Sequence, residues 1–213
     1  MSAMTAQPKI LGNVVLSNGD LAVLAGNTAK HGTYYGFDDL QIAILASSTP
    51  VTLNQTSGNI NFPSGDSPSG SFPGDAGIAG SATQGGATIA ALPGGGMAIM
   101  GWGDSNLNYT LQILNNAGTV TTQPFVVHSQ FTTAGNNQNN AANPQGAVAA
   151  WSGGLVVAYS TDNLSKDYYQ RYTLAGVAVG SPVLFASTPD GTGTGWQGSM
   201  AVDSSGDVIF GFG

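Results

Sequence analysis

An all-β domain of recurring four-stranded antiparallel units is predicted by three features of this sequence. They are a hairpin pattern that returns four times, a composition nearly free of charge, and the complete absence of glutamate. Only 7% of the 213 residues are charged, against roughly a quarter in an average soluble domain. Yet 41% are hydrophobic, so the low charge does not signal a disordered chain. With 32 Gly and many Ala, Ser, Thr and Asn, the composition suits short strands joined by neutral polar turns. All 11 acidic residues are Asp, which favours turns and caps, whereas Glu favours helix.

The hairpins come in order along the chain. Gly12–Leu16 leads through Ser17-Asn18-Gly19-Asp20 into Leu21–Leu24. Ala87–Leu92 leads through Pro93-Gly94-Gly95-Gly96 into Met97–Met100. Gly146–Trp151 leads through Ser152-Gly153-Gly154 into Leu155–Tyr159. Gly198–Val202 leads through Asp203-Ser204-Ser205-Gly206-Asp207 into Val208–Phe212. Glycine at the turn supplies the positive φ that tight hairpins need. Three copies continue into a third strand around Leu40-Gln41-Ile42, Leu111-Gln112-Ile113 and Tyr169-Gln170-Arg171, two of them reaching a glycine six residues later, at Gly118 and Gly176. A fourth strand is expected at Val51-Thr52-Leu53, Phe125-Val126-Val127 and Val183-Leu184-Phe185, each just after a proline (Pro50, Pro124, Pro182). Proline beside such a strand suits a sheet edge, where its missing N–H costs no ladder bond.

The chain is thus read as one repeat-built domain over 1–213, with copies near 9–84, 85–145 and 146–197 and a partial one over 198–213, about three and a half in all. Residues 55–84, 129–145 and 186–197, rich in Gly, Ser, Pro, Thr and Asn, are expected as long loops between copies.

In the third copy Gln145-Gly146, Val148-Ala149, Gly153-Gly154-Leu155-Val156-Val157, Tyr169-Gln170-Arg171-Tyr172, Gly176 and Val179-Gly180 follow a known spacing. It resembles the repeats of large secreted bacterial RTX-type adhesins; the second copy fits moderately and the first mainly in its hydrophobic pattern. The resemblance implies propeller-like blades, with a β-sandwich or an open stack as the alternatives. Propellers have about four to eight blades, so this number of copies implies that sheet edges are covered by another copy or a partner.

Several functions are disfavoured at once. The only basic residues are Lys9, Lys30, Lys166 and Arg171 and the net charge is −7, which leaves no patch to displace counterions from nucleic acid. No apolar run reaches the roughly 20 residues of a membrane-spanning helix, and the first residues show no secretory signal. With no Cys, disulfides and thiolate metal sites are excluded.

Candidate binding residues are expected in the connections leaving the second and fourth strands. These carry Asp38, Asp39, Asp66, Asp75, Asp104, Asp162, Asp167 and Asp190, with Lys30, His31, Tyr34, Tyr35, Trp102 and Trp196. For a glycan, Trp102 with Asp104, Asn106 and Asn108, and Trp196 with Gln197, offer an aromatic platform beside hydrogen-bonding groups, although both tryptophans also suit a core. For Ca²⁺, the weak candidates are Asp190, Asp203 and Asp207, but the Asp203 segment stands where a hairpin turn is expected and no EF-hand loop is present. No other cofactor is implied.

Catalysis has little to build on. Gly103-Asp104-Ser105 resembles the first block of SGNH-type esterases, but the D-x-x-H that family needs is missing: Phe125 stands three residues before His128. Asp38 and Asp39, as strand neighbours, would point to opposite faces and could not pair as glycosidase carboxylates. The Gln-Gly pairs at Gln84, Gln145 and Gln197 are read as structural ties. The sequence therefore predicts a non-enzymatic structural or adhesive module, extracellular, on a cell surface or in a virion, assembling through its sheet edges as a homo-oligomer or larger assembly. A propeller-like lectin is the first alternative and a glycoside or ester hydrolase the second.

Overall fold

Backbone pairing, more than side-chain preference, sets the length of the strands in the computed structural model, which describes residues 7–31, 34–46, 56–59, 86–102, 108–129, 146–161, 166–188 and 196–212. The first sheet holds β1 (Gln7–Val15), β2 (Leu21–His31), β3 (Tyr34–Leu45) and β4 (Thr56–Asn59). The second holds β5 (Gly86–Ala91), β6 (Met97–Trp102), β7 (Asn108–Leu114) and β8 (Val120–Ser129). The third holds β9 (Gly146–Trp151), β10 (Gly154–Thr161), β11 (Lys166–Tyr172) and β12 (Ala178–Ser187). A two-stranded sheet of β13 (Trp196–Val202) and β14 (Val208–Phe212) completes the set. Every pairing is antiparallel between sequence neighbours, and the described sheets close no barrel or ring.

One turn geometry joins many of these strands. The amide of Gly19 donates to Leu16 O, Gly95 to Leu92 O, Gly118 to Asn115 O, Gly176 to Thr173 O and Gly206 to Asp203 O. In each the glycine sits at a φ between 78° and 102°, left-handed backbone that a side chain would strain. Trp151 and Gly154 are instead joined by the tighter Ser152-Gly153 link.

The sheets lie face to face in chain order. β1 runs beside β5, β5 beside β9, and β9 beside β13. Along β6, Met97 and Ile99 face the first sheet, while Ala98 and Met100 face the third. On β10, Leu155, Val157 and Tyr159 face the second sheet, and Ala158 faces the β13–β14 hairpin. This explains the unbroken apolar runs of β6 and β10, because a strand covered on both faces has no reason to alternate. Each fully buried Leu, Ile or Met there contributes about 1.5–3 kcal/mol.

The first sheet departs from the expectation. Lys30 and His31 close β2, Tyr34 and Tyr35 open β3, and Asp38 and Asp39 lie within β3, so these residues belong to paired strands and not to a connection. The ladder pairs backbone groups and continues whatever the side chains are. The expected strand at Val51–Leu53 lies outside the described residues. The strand on the side of β3 away from β2 is Thr56–Asn59, inside the stretch 55–84 read as loop. Asp167, expected in a connection, is inside β11 and fully buried. The 186–197 loop is also trimmed at both ends, since Ala186 and Ser187 finish β12 and Trp196 starts β13.

Candidate functional site

Trp196 enters the fold at the first position of β13, facing the third sheet. It is 3% exposed, and its indole N–H donates to Ser199 O at 2.9 Å. Phe185 and Phe210 stand edge-on to its ring at 5.3 and 6.3 Å between centroids. Phe185 and Phe210 themselves stack at 3.6 Å, joining β12 to β14. Trp196 is therefore a core anchor between the last two sheets, in a position that gives a sugar no ring face. Trp102 ends β6 opposite Tyr109, and Gln197 follows Trp196 in β13. Asp104, Asn106 and Asp190 lie outside the described residues, as do Asp66, Asp75 and Asp162.

Asp203 and Asp207 flank the β13–β14 turn. One carboxylate oxygen of Asp203 accepts the amides of Ser205 and Asp207 at 2.8 and 2.9 Å, an arrangement that builds the turn itself. From the third sheet, the Arg171 guanidinium donates to Gly206 O at 2.7 Å and lies 5.2 Å from the centre of the Trp151 ring. This charged group thus ties the hairpin turn down to its neighbour through a hydrogen bond and a cation–π contact. Among the described residues no group of three or more His, Asp or Glu side chains is placed to hold a metal ion.

A polar cluster that sequence reasoning missed lies between the second and third sheets. Tyr109 of β7 donates its hydroxyl to Ser160 O of β10 at 3.1 Å, and its ring lies 5.6 Å from that of Tyr159. Tyr159 is stacked by His128 of β8 at 4.6 Å and by Tyr168 of β11 at 6.2 Å. Asp167 pairs across the ladder with Ser160. Burial pushes the Tyr109 hydroxyl far above the usual phenol range. Burial also raises Tyr159 to about 12, helped by Tyr172 and Tyr168. At neutral pH these phenols stay protonated and serve as hydrogen-bond donors and packing surfaces. The signal available in the sequence was weak: tyrosines near the ends of three strands, whose meeting depends on the order of the sheets.

A different feature lies at the margins. Among the described residues, Pro124 in β8 and Pro182 in β12 stand in strands with a pairing partner on one side only, where proline blunts an edge. β14 has the same one-sided pairing, yet Val208-Ile209-Phe210-Gly211-Phe212 contains neither proline nor charge. In this strand Ile209 and Phe212 are exposed, as are Val179 and Val183 on β12. Searches of protein-family models, curated proteins and solved structures find no match to this chain.

Proposed function

We propose that this protein is a non-enzymatic structural or adhesive module of an extracellular, cell or virion surface, whose sheets act as propeller-like blades and which assembles through its sheet margins. The carrying observation is the β13–β14 hairpin, whose outer strand is apolar, uncharged and without proline. Such an edge offers unpaired backbone groups to another strand, and its exposed Ile209 and Phe212 reward covering. A composition with 7% charged residues adds little repulsion against association.

The reading is tested by sedimentation velocity and native mass spectrometry on the purified chain at micromolar concentration. A self-associated species or filament is the expected outcome. A monomer across the whole concentration range would overturn it.

A further inference from the structure

We infer that the partner at this end is a second copy of the chain, stacked head to tail, with its first sheet laid on the free face of the β13–β14 hairpin. The inference rests on the reading of the protein as an assembling module, and adds the partner and the faces that meet.

The three internal interfaces all run in one direction. The leading face of each sheet meets the trailing face of the next, and both kinds of face are apolar. That order leaves two surfaces unmatched among the described residues, and they are of opposite kind. On the hairpin, Met200 and Phe210 turn toward the third sheet, so their neighbours Ala201 and Ile209, paired across the ladder, form the free leading face. Ile209 is 59% exposed. On the first sheet, Val14, Ala22 and Leu24 turn toward the second sheet. The alternating residues Ile10, Asn13, Val15, Leu21 and Val23 therefore form the trailing face, with Leu21 and Val23 half-buried. Ile10 and Val15 are 67% and 66% exposed.

The trailing residues of β2 occupy places that are filled elsewhere. Leu21 and Val23 follow their turn as Met97 and Ile99 follow theirs in β6, and as Leu155 and Val157 follow theirs in β10. Those four counterparts are fully buried against a preceding sheet. Ile209 likewise matches Ala98, which is fully buried against a following sheet. A second copy thus continues an interface the chain already makes with itself. The named residues of both faces are uncharged, so no charge is stripped of water when they meet. Because the two faces differ, the contact is heterologous, and each copy carries one of each kind.

The test uses Val15→Asp and Ile209→Asp in the full chain, each at an exposed position. Alone, either variant should weaken self-association about tenfold or more, because every interface then contains one damaged face. Mixed in equal amounts, the two should recover a one-to-one pair, joined by the intact hairpin of V15D and the intact first sheet of I209D. Recovery on mixing also shows that both variants fold. If the unaltered chain associates and V15D still associates as well, the head-to-tail contact is wrong while the module reading stands. If the unaltered chain never associates, both fall.

Discussion

Replacing Leu155 and Val156 by alanine, one at a time, distinguishes a stack of sheets from a layer with one wet face. The two are neighbours on β10 and point to opposite sides, and both are fully buried. Leu155→Ala removes three carbons from the interface with the second sheet, about 2.4 kcal/mol at 0.8 kcal/mol per methylene. The cavity left behind raises this to about 3 kcal/mol. Val156→Ala removes two carbons from the side facing the hairpin, about 1.6 kcal/mol before any cavity cost. For a chain of this size, 1 kcal/mol lowers Tm by about 2–4 °C, so the variants should melt roughly 6–12 °C and 3–6 °C below the parent. Urea titration followed by tryptophan fluorescence gives the same comparison at fixed temperature, read as midpoint shifts at constant slope. Should Val156→Ala stay within about 0.5 kcal/mol while Leu155→Ala shows its full effect, one face of β10 is solvated and the face-to-face order is wrong.

Gln170→Leu should cost about 2 kcal/mol in urea unfolding, because the Gln170 amide donates to Val179 O and Gly180 O at 3.0 and 3.1 Å and those carbonyls would lose it. At Gly96, where φ is +90° and a Cβ would collide with the Leu114 carbonyl oxygen, alanine should cost at least about 1–3 kcal/mol, measured by the same titration. Tyr109→Phe should cost about 1–2 kcal/mol by leaving the buried Ser160 carbonyl without that donor. Alkali provides an independent check. With Tyr159 raised to about 12 in the folded protein, its contribution is fully present below the unfolded value of 10.0 and fades as pH climbs from there to about 12. The contribution lost over that window is roughly 2–3 kcal/mol, and Tyr159→Phe should flatten the decline, which chemical denaturation at stepped pH would follow.

Turns and strand cores were legible because few residues meet their demands. Positive φ selects glycine, so Gly19, Gly118, Gly176 and Gly206 betray their turns by residue type alone. The runs Met97–Met100 and Leu155–Ala158 declare strands covered on both sides. The ends of strands were harder to read. Lys30, His31 and Asp39 look like loop residues, yet the β2–β3 ladder pairs them because it is made by backbone groups, passing Asp38 at a bulge. β4 is Thr56–Asn59, four residues with no apolar pattern to announce a strand. Side-chain fate was legible only in part. An aromatic beside a glutamine fits a core better than a sugar platform, and the placement of Phe185 and Phe210 shows the core for Trp196. The Tyr109–Tyr159–His128 cluster draws on three strands of two sheets, and no local spacing encodes that meeting.

Because each sheet rests on its sequence neighbours, cohesion in this molecule is distributed as in a row of tiles. Among the described residues the central tiles are gripped from two sides, while the β13–β14 hairpin is gripped from one. Opening then has a natural starting point and a direction of travel, so amide protons of β14 would exchange with solvent long before those of β6 and β10. The same gradient makes the hairpin end the part of the protein most ready to be remodelled by whatever it meets.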